Sequence, residues 1–199
     1  MNEGEEKFLV VTAPSGAGKG TLIRHLLATY PWLSLSVSAT TRSEIRPGEV
    51  DGVHYHFISP EEFQRRIDAG QFVEWEEFYG GKRYGTLKSE VERILAGHKV
   101  PVFELEVKGA LHMKEMYGDR AELVFITTPS LQVIEERLRA RGTETEEAIQ
   151  TRMERAAYEV TLESEFDHVI MNDDLETAKL EIVDLIATLF PGHVQATRD

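Results

Sequence analysis

Apolar residues along this chain fall into short blocks that alternate between strand-like and helix-like spacing. Lys7 to Thr12 (KFLVVT) is a dense β-branched run, the pattern of a strand buried on both faces. It stops at Ala13-Pro14-Ser15-Gly16-Ala17-Gly18, after which Leu22, Leu26 and Leu27 share one side of a helix predicted over Thr21 to Tyr30. A second strand is predicted over Leu33 to Ser38. Thr40 to Asp51 is polar, charged and broken by Pro47 and Gly48, the composition of a functional loop. Ser59-Pro60-Glu61-Glu62 sets a hydroxyl at N-cap, proline at N1 and a carboxylate at N3, so a helix starts there and ends near Gly70. Gln71 to Phe78 and the stretch around Tyr84 flank Gly80-Gly81 and predict two strands joined by a turn. Trp75 and Phe78 read as core. Leu87 to Ala96 resumes helical spacing and ends at Gly97.

Lys99 to Glu106 and Ala121 to Thr127 are near-continuous apolar runs with a helix between them, as in strands buried within a parallel sheet. Pro129-Ser130 opens a helix to about Arg141, and Gly142 interrupts it. Thr143-Glu144-Thr145-Glu146 offers a capping box to the next helix. His168 to Met171 is a last strand, and Asp174 to Leu189 a last amphipathic helix before a polar tail. Strands alternating with helices predict an α/β domain around a parallel sheet, with ligands beyond the carboxyl ends of the strands. The hairpin-like middle, about 38–86, reads as an insertion on that core.

Composition narrows the partners. The 199 residues suit one domain, and 35 acidic against 22 basic residues give a net charge of −13, which disfavours a nucleic acid polymer bound through a broad basic face. An anionic ligand must therefore meet locally gathered arginine, lysine or backbone N–H groups. Cysteine is absent, excluding disulfides, thiol nucleophiles and thiolate metal sites. No apolar run has the length of a membrane span and the acidic start is unlike a signal peptide, so a cytoplasmic protein without membrane partners is expected. His54 and His56 alternate on a strand without a second pair at zinc spacing, so no protein-held metal is expected. No oligomeric state follows from these patterns.

Ala13-Pro14-Ser15-Gly16-Ala17-Gly18-Lys19-Gly20-Thr21 lies between a buried strand and a helix N-terminus whose free N–H groups favour an anion. The spacing is that of a phosphate-binding P-loop. Ala13 replaces its first glycine, and Gly20 fills the slot that usually holds a Mg²⁺-binding hydroxyl, with Thr21 one position later.

Gly18-Lys19-Gly20-Thr21 is similar to the loop of nucleoside-monophosphate kinases, and the segments that follow resemble guanylate kinases in the family's order. They are Ser36 to Arg42, Arg46-Pro47-Gly48-Glu49 through Asp51-Gly52 to Tyr55, Phe72 to Trp75, Tyr84-Gly85-Thr86, Glu104 to Ala110, Arg137 to Glu147, and Val169 to Asp174. Together they span about 8–190.

The resemblance implies a P-loop kinase in three parts: a core of 1–37, 87–136 and 158–199, a GMP-binding insertion at 38–86, and a short helical lid at 137–157. It implies transfer of the γ-phosphoryl group of ATP, with Mg²⁺, to GMP and also dGMP. It implies that Ser38, Arg42, Arg46, Glu49, Tyr55, Glu74, Tyr84 and Thr86 bind GMP, with Glu104 and Glu106 at the strand end beside them. Lys19, Arg42, Arg137, Arg141 and Arg152 would handle the transferring phosphates, while Asn172 and Asp173 would lie near adenine. Glu104 and Glu106 stand where many relatives carry aspartate, and Lys108 where glutamine is common.

Residue chemistry fits those roles. Planar guanidinium groups grip phosphate bidentately, and an anionic acceptor oxygen needs no general base. Arg137, Arg139 and Arg141 alternate at a helix end, with Arg139 read as solvated. Glu104 and Glu106 are expected to face opposite sides of a strand, one toward the site and the other structural. The rival reading is a non-catalytic guanylate-kinase-like module that binds phosphorylated peptides, for which an intact P-loop is not required.

Overall fold

In the computed structural model, which describes residues 7–46, 48–140, 142 and 145–196, the strand β1 (Phe8–Thr12) is buried along its whole length. It pairs in parallel with β7 (Val100–Glu104) on one side and β8 (Ala121–Thr127) on the other. The edges are β2 (Leu33–Leu35), parallel to β7, and β9 (His168–Met171), parallel to β8. This five-stranded sheet has the order β2-β7-β1-β8-β9.

Side-chain alternation splits its core into two layers. Leu9, Val11, Val102, Val124 and Ile126 face one side, against α1 (Lys19–Thr29) and α7 (Leu175–Leu189). Phe8, Val10, Phe103, Leu123 and Phe125 face the other, against α4 (Val107–Tyr117). Helices on both faces explain why these strands are near-continuous in apolar residues.

The middle of the chain forms a second, mixed sheet. It contains β3 (Ala39–Thr40), β4 (His56–Phe57), β5 (Phe72–Phe78) and β6 (Lys82–Leu87) in the order β4-β3-β6-β5. It has its own core, in which Phe63 of α2 (Pro60–Asp68) stacks on Phe72 with ring centroids 4.4 Å apart. Ser59 caps α2 by accepting from the Glu62 N–H at 3.1 Å, as its sequence signature predicts. α3 (Lys88–Ala96) leads back to the main sheet. Beyond β8, α5 (Leu131–Ala140) packs on α6 (Glu146–Val160) through Ile134, Leu138 and Ala156. Among the described residues no helix is long and apolar enough to cross a membrane.

Four local expectations change. β2 stops at Leu35 rather than Ser38, because the buried Glu90 carboxylate takes the Val37 N–H at 3.1 Å and draws the chain off the sheet. The cap of α6 is Thr145, whose hydroxyl accepts from the Ala148 N–H, two residues later than a box opened at Thr143. Trp75 is exposed: the β5 register slips between Phe72 and Glu74, so Val73 and Glu74 are both buried and Trp75 lands outside, with Arg83 over its ring. The polar tail contains α8 (Pro191–Ala196), where His193 stacks on the buried Trp32 at 5.0 Å.

Candidate active site

The loop after β1 turns on two glycines in the left-handed region, Gly16 at φ 97° and Gly18 at φ 99°. Both are also enclosed. A Cβ on Gly16 would lie 3.3 Å from Ile134 and Leu138 of α5, and one on Gly18 would lie 2.3 Å from Asn172 Nδ2. Gly18 caps α1 without a side chain, so no capping group competes with an anion for the first N–H groups of the helix, although the Thr21 N–H turns back to the Gly18 carbonyl at 3.0 Å. Asn172 Nδ2 donates to the Ala17 carbonyl at 2.6 Å, which braces the loop from the end of β9. Arg137 Nη2 donates to the carbonyls of Asn172 and Asp173 at 2.9 and 3.2 Å. Arg137, Asn172 and Asp173 thus support the loop and do not line the cleft in front of it.

That cleft has a volume of about 750 Å³ and separates the two sheets. The loop residues Ala13 to Thr21, apart from the buried Ala17, form one wall, and Ser38, Arg46, Tyr55, Glu74 and Tyr84 stand in the other. Lys19 lies between them, its Nζ donating to the Leu105 carbonyl at 3.2 Å and lying 3.9 Å from Glu104 and 4.0 Å from Glu106. The two carboxylates share this side instead of facing opposite sides, because residues two apart on an extended chain point the same way, while Leu105 between them turns into the core.

Glu74 and Thr86 are directly opposed on the antiparallel pair β5 and β6. The Thr86 hydroxyl donates to Glu74 Oε1 at 2.7 Å, and Glu74 is only 6% exposed. Gly109 of α4 makes room for the carboxylate, since a Cβ there would touch Glu74 Oε2 at 3.4 Å. Burial pushes the Glu74 carboxyl up to about 7, against a smaller opposing pull from the Thr86 hydrogen bond. Tyr55 and Tyr84 meet edge to face at 5.8 Å, and burial raises the Tyr55 hydroxyl above its ordinary value.

Arg42 departs most from its expected setting. It is buried, bonded by Nη2 to both Glu49 oxygens at 2.6 and 2.7 Å, and it also donates to the Glu44 carbonyl. Its guanidinium lies over the rings of Tyr55 and Phe57, and it does not line the cleft, whereas Arg46 does. The Arg42 guanidinium and the Arg46 N–H hold the Glu49 carboxyl below the usual carboxylate range. Glu49 therefore sits where an anionic ligand of Arg42 would compete.

From α6, Arg152 Nη1 donates to Ser15 Oγ at 2.5 Å. Arg139 is exposed, as expected, and pairs at the surface with Glu135 and Glu146, linking α5 to α6 across Gly142. The expected roles of Pro47, Arg141, Thr143 and Glu144 fall outside the described residues. The sequence reading passed over Arg155, Glu159, Glu76, Lys82, His54 and Arg24, which also line the cleft. For Arg155 a signal exists: it lies three residues after Arg152 on a helix, hence on the same side.

The family model described as Guanylate kinase matches residues 5–189. A protein named guanylate kinase from Salinibacter ruber is 46% identical over 182 residues, covering 92% of this chain and 96% of that one. One of the same name from Porphyromonas gingivalis is 47% identical, covering 91% and 96%. A crystal structure of guanylate kinase from Anaplasma phagocytophilum superposes with a TM-score of 0.70 at 27% identity, covering 94% of this chain and 87% of that one. Sequence and tertiary structure agree over nine-tenths of the length, and the chain belongs to the guanylate kinase family.

Proposed function

We propose that this protein transfers the γ-phosphoryl group of ATP to GMP by direct in-line attack of the GMP phosphate oxygen, giving ADP and GDP. The observation that carries this reading is that one cleft joins a glycine-turned phosphate loop to a buried Glu74–Thr86 pair able to read guanine. Guanine presents N1–H and its 2-amino group as adjacent donors, which one carboxylate accepts together. ATP phosphates rest on the loop N–H groups with Lys19 beside them, and Arg152 closes from α6. Arg46 and Tyr55 hold the GMP phosphate. Arg42 joins them by exchanging the Glu49 carboxylate for phosphate oxygens. Asn172 and Asp173 serve ATP by fixing the loop, with Arg137 behind them.

Among the described residues no cluster of three or more His, Cys, Asp or Glu is arranged as a metal cage. The Thr21 hydroxyl, which now accepts from Arg24 at 3.2 Å, and the half-exposed Glu104 are oxygen groups that would hold a hard cation carried in by phosphates, and Mg²⁺ there would supply charge neutralisation. Water has to be excluded or ATP is hydrolysed. We assign that task to closure of the insertion, 38–86, and the lid, 137–157, over the core. A coupled ADP-release assay with ATP and a panel of GMP, dGMP, AMP, CMP and UMP tests the reading. Rapid turnover is expected with GMP and dGMP; turnover of another base in preference to guanine overturns it.

The Glu74 carboxyl near 7 predicts a pH dependence of acceptor binding. Guanine needs the ionised form, so GMP affinity should fall about tenfold per pH unit below 7. Stability of the unliganded fold runs the other way: the protonated form is favoured, so this contribution is complete below the ordinary value of 4.5 and is lost as pH rises through about 7. Calorimetric GMP titrations at pH 5.5 to 8 on the native chain and on Glu74→Gln check this. The GMP phosphate titrates in both, so the difference between the two profiles isolates Glu74.

A further inference from the structure

Arg152 and Arg155 both reach the cleft from α6, but they serve different partners. Arg152 bonds to Ser15 in the phosphate loop. Arg155 Nη2 donates to Glu106 Oε2 at 2.5 Å, and its Nε donates to Glu159 Oε1 at 2.7 Å, one turn further along the helix. Glu159 is buried, so the second bond fixes the direction of the guanidinium. Glu106, the cap residue of α4, has its other oxygen 4.0 Å from Lys19 Nζ. One carboxylate is therefore shared between an arginine of α6 and the lysine of the phosphate loop.

Two cations compete for Glu106, and the distances decide the present winner. A charge-assisted bond at 2.5 Å to Arg155 is direct, whereas 4.0 Å to Lys19 is the outer limit of an ion pair. Glu106 and Glu159 raise the Arg155 guanidinium above its ordinary value although burial opposes this, so both carboxylates favour the charged form. If Arg155 is removed, Glu106 loses its bonded partner with Lys19 already within reach. The carboxylate then closes on the lysine and draws its ammonium away from the phosphates.

We propose that Arg155 is a positioning residue for phosphoryl transfer, holding Glu106 toward α6 so that Lys19 remains available to the phosphates of ATP. This rests on the phosphoryl-transfer reading above. Because Arg155 belongs to α6, the seating of that helix also sets how far Glu106 screens Lys19. The loop lysine is then fully available only when α6 is in place.

A double-mutant cycle on the full chain tests the proposal, with Arg155→Met, Glu106→Gln and the pair compared with the native protein. Two quantities are read: ATP affinity by calorimetry without GMP, and kcat with ATP and GMP. In the native background Arg155→Met should weaken ATP binding and lower kcat, each by about tenfold. In the Glu106→Gln background it should change both by less than about twofold, because a neutral amide is not drawn to Lys19. Arg155→Lys, which keeps the charge but not two directed bonds, should fall between native and Met. Thermal midpoints identify any variant that does not fold at the assay temperature, in which case Arg155→Lys carries the cycle. Equal losses in both backgrounds, or no loss in the native one, overturn the proposal. If the native protein fails to phosphorylate GMP, the functional reading fails instead, and the ATP-affinity cycle still reports on Arg155, Glu106 and Lys19.

Discussion

Lys19→Met should reduce kcat by a factor of about 10² to 10³, the usual consequence of deleting one preorganised cation or donor at developing phosphate charge. The thermal midpoint should move by no more than a few degrees. Lys19 touches one backbone carbonyl and stands at 3.9 and 4.0 Å from two carboxylates that are each about two-fifths exposed. Partly solvated pairs of that length contribute roughly 0–1 kcal/mol, which shifts the midpoint of a domain this size by about 2–4 °C. Methionine preserves the length and most of the packing of the lysine stem. Steady-state kinetics and a thermal melt on the same preparation separate the two effects. Near-native turnover in the variant would remove Lys19 from the chemistry and overturn the P-loop assignment.

The second large effect concerns the base. In Glu74→Gln the kcat/KM for GMP should fall by about 10³ or more, while the much lower value for AMP changes by only a small factor. A buried carboxylate offers two acceptors to guanine N1–H and N2–H, with Thr86 fixing its plane. Glutamine keeps one acceptor and turns an N–H₂ donor toward another donor, leaving both unpaired in a closed site. Adenine gains nothing comparable, because its edge presents a lone pair and an amino group in the opposite sense. Parallel assays with both acceptors decide the point. Equal factors for GMP and AMP would show that Glu74 does not read the base. The comparison also depends on Thr86: Thr86→Val should reproduce part of the loss by freeing the carboxylate to rotate.

What was legible in the chain was what local spacing can express. β1, its glycine loop and α1 follow one another from Phe8 to Thr29, so strand burial, turn geometry and the helix N-terminus are all written in neighbouring positions. The cap at Ser59 and the buried runs of β7 and β8 are legible for the same reason. The assignment of Glu74 and Thr86 to a nucleotide rests on family resemblance. On composition alone Glu74 is one of three acids around Trp75, and only its pairing with Thr86 and the space above Gly109 bury it.

Where the sequence reading departed from the structure, the deciding contacts were distant in the chain or changed its direction. The expectation of opposite sides for Glu104 and Glu106 fails because residues two apart on an extended segment share a face, and both carboxylates meet Lys19. Trp75 reads as core in the sequence, but a slipped register turns it outward. For Arg42, expected at the GMP phosphate, the sequence shows nothing of the Glu49 carboxylate that folds back onto it from seven residues away.

The sequence by itself determined the α/β class, the phosphate loop and the family, because each depends on hydrogen-bonding and burial patterns repeated within a few residues. Only the tertiary structure decided which charges meet. The partnerships of Lys19 with Glu104 and Glu106, of Arg155 with Glu106 and of Arg137 with the end of β9 join residues 35 to 87 positions apart. No local period encodes such pairs. They arise when parallel strands bring their carboxyl ends to one edge and the following helices turn their first residues into the same cleft.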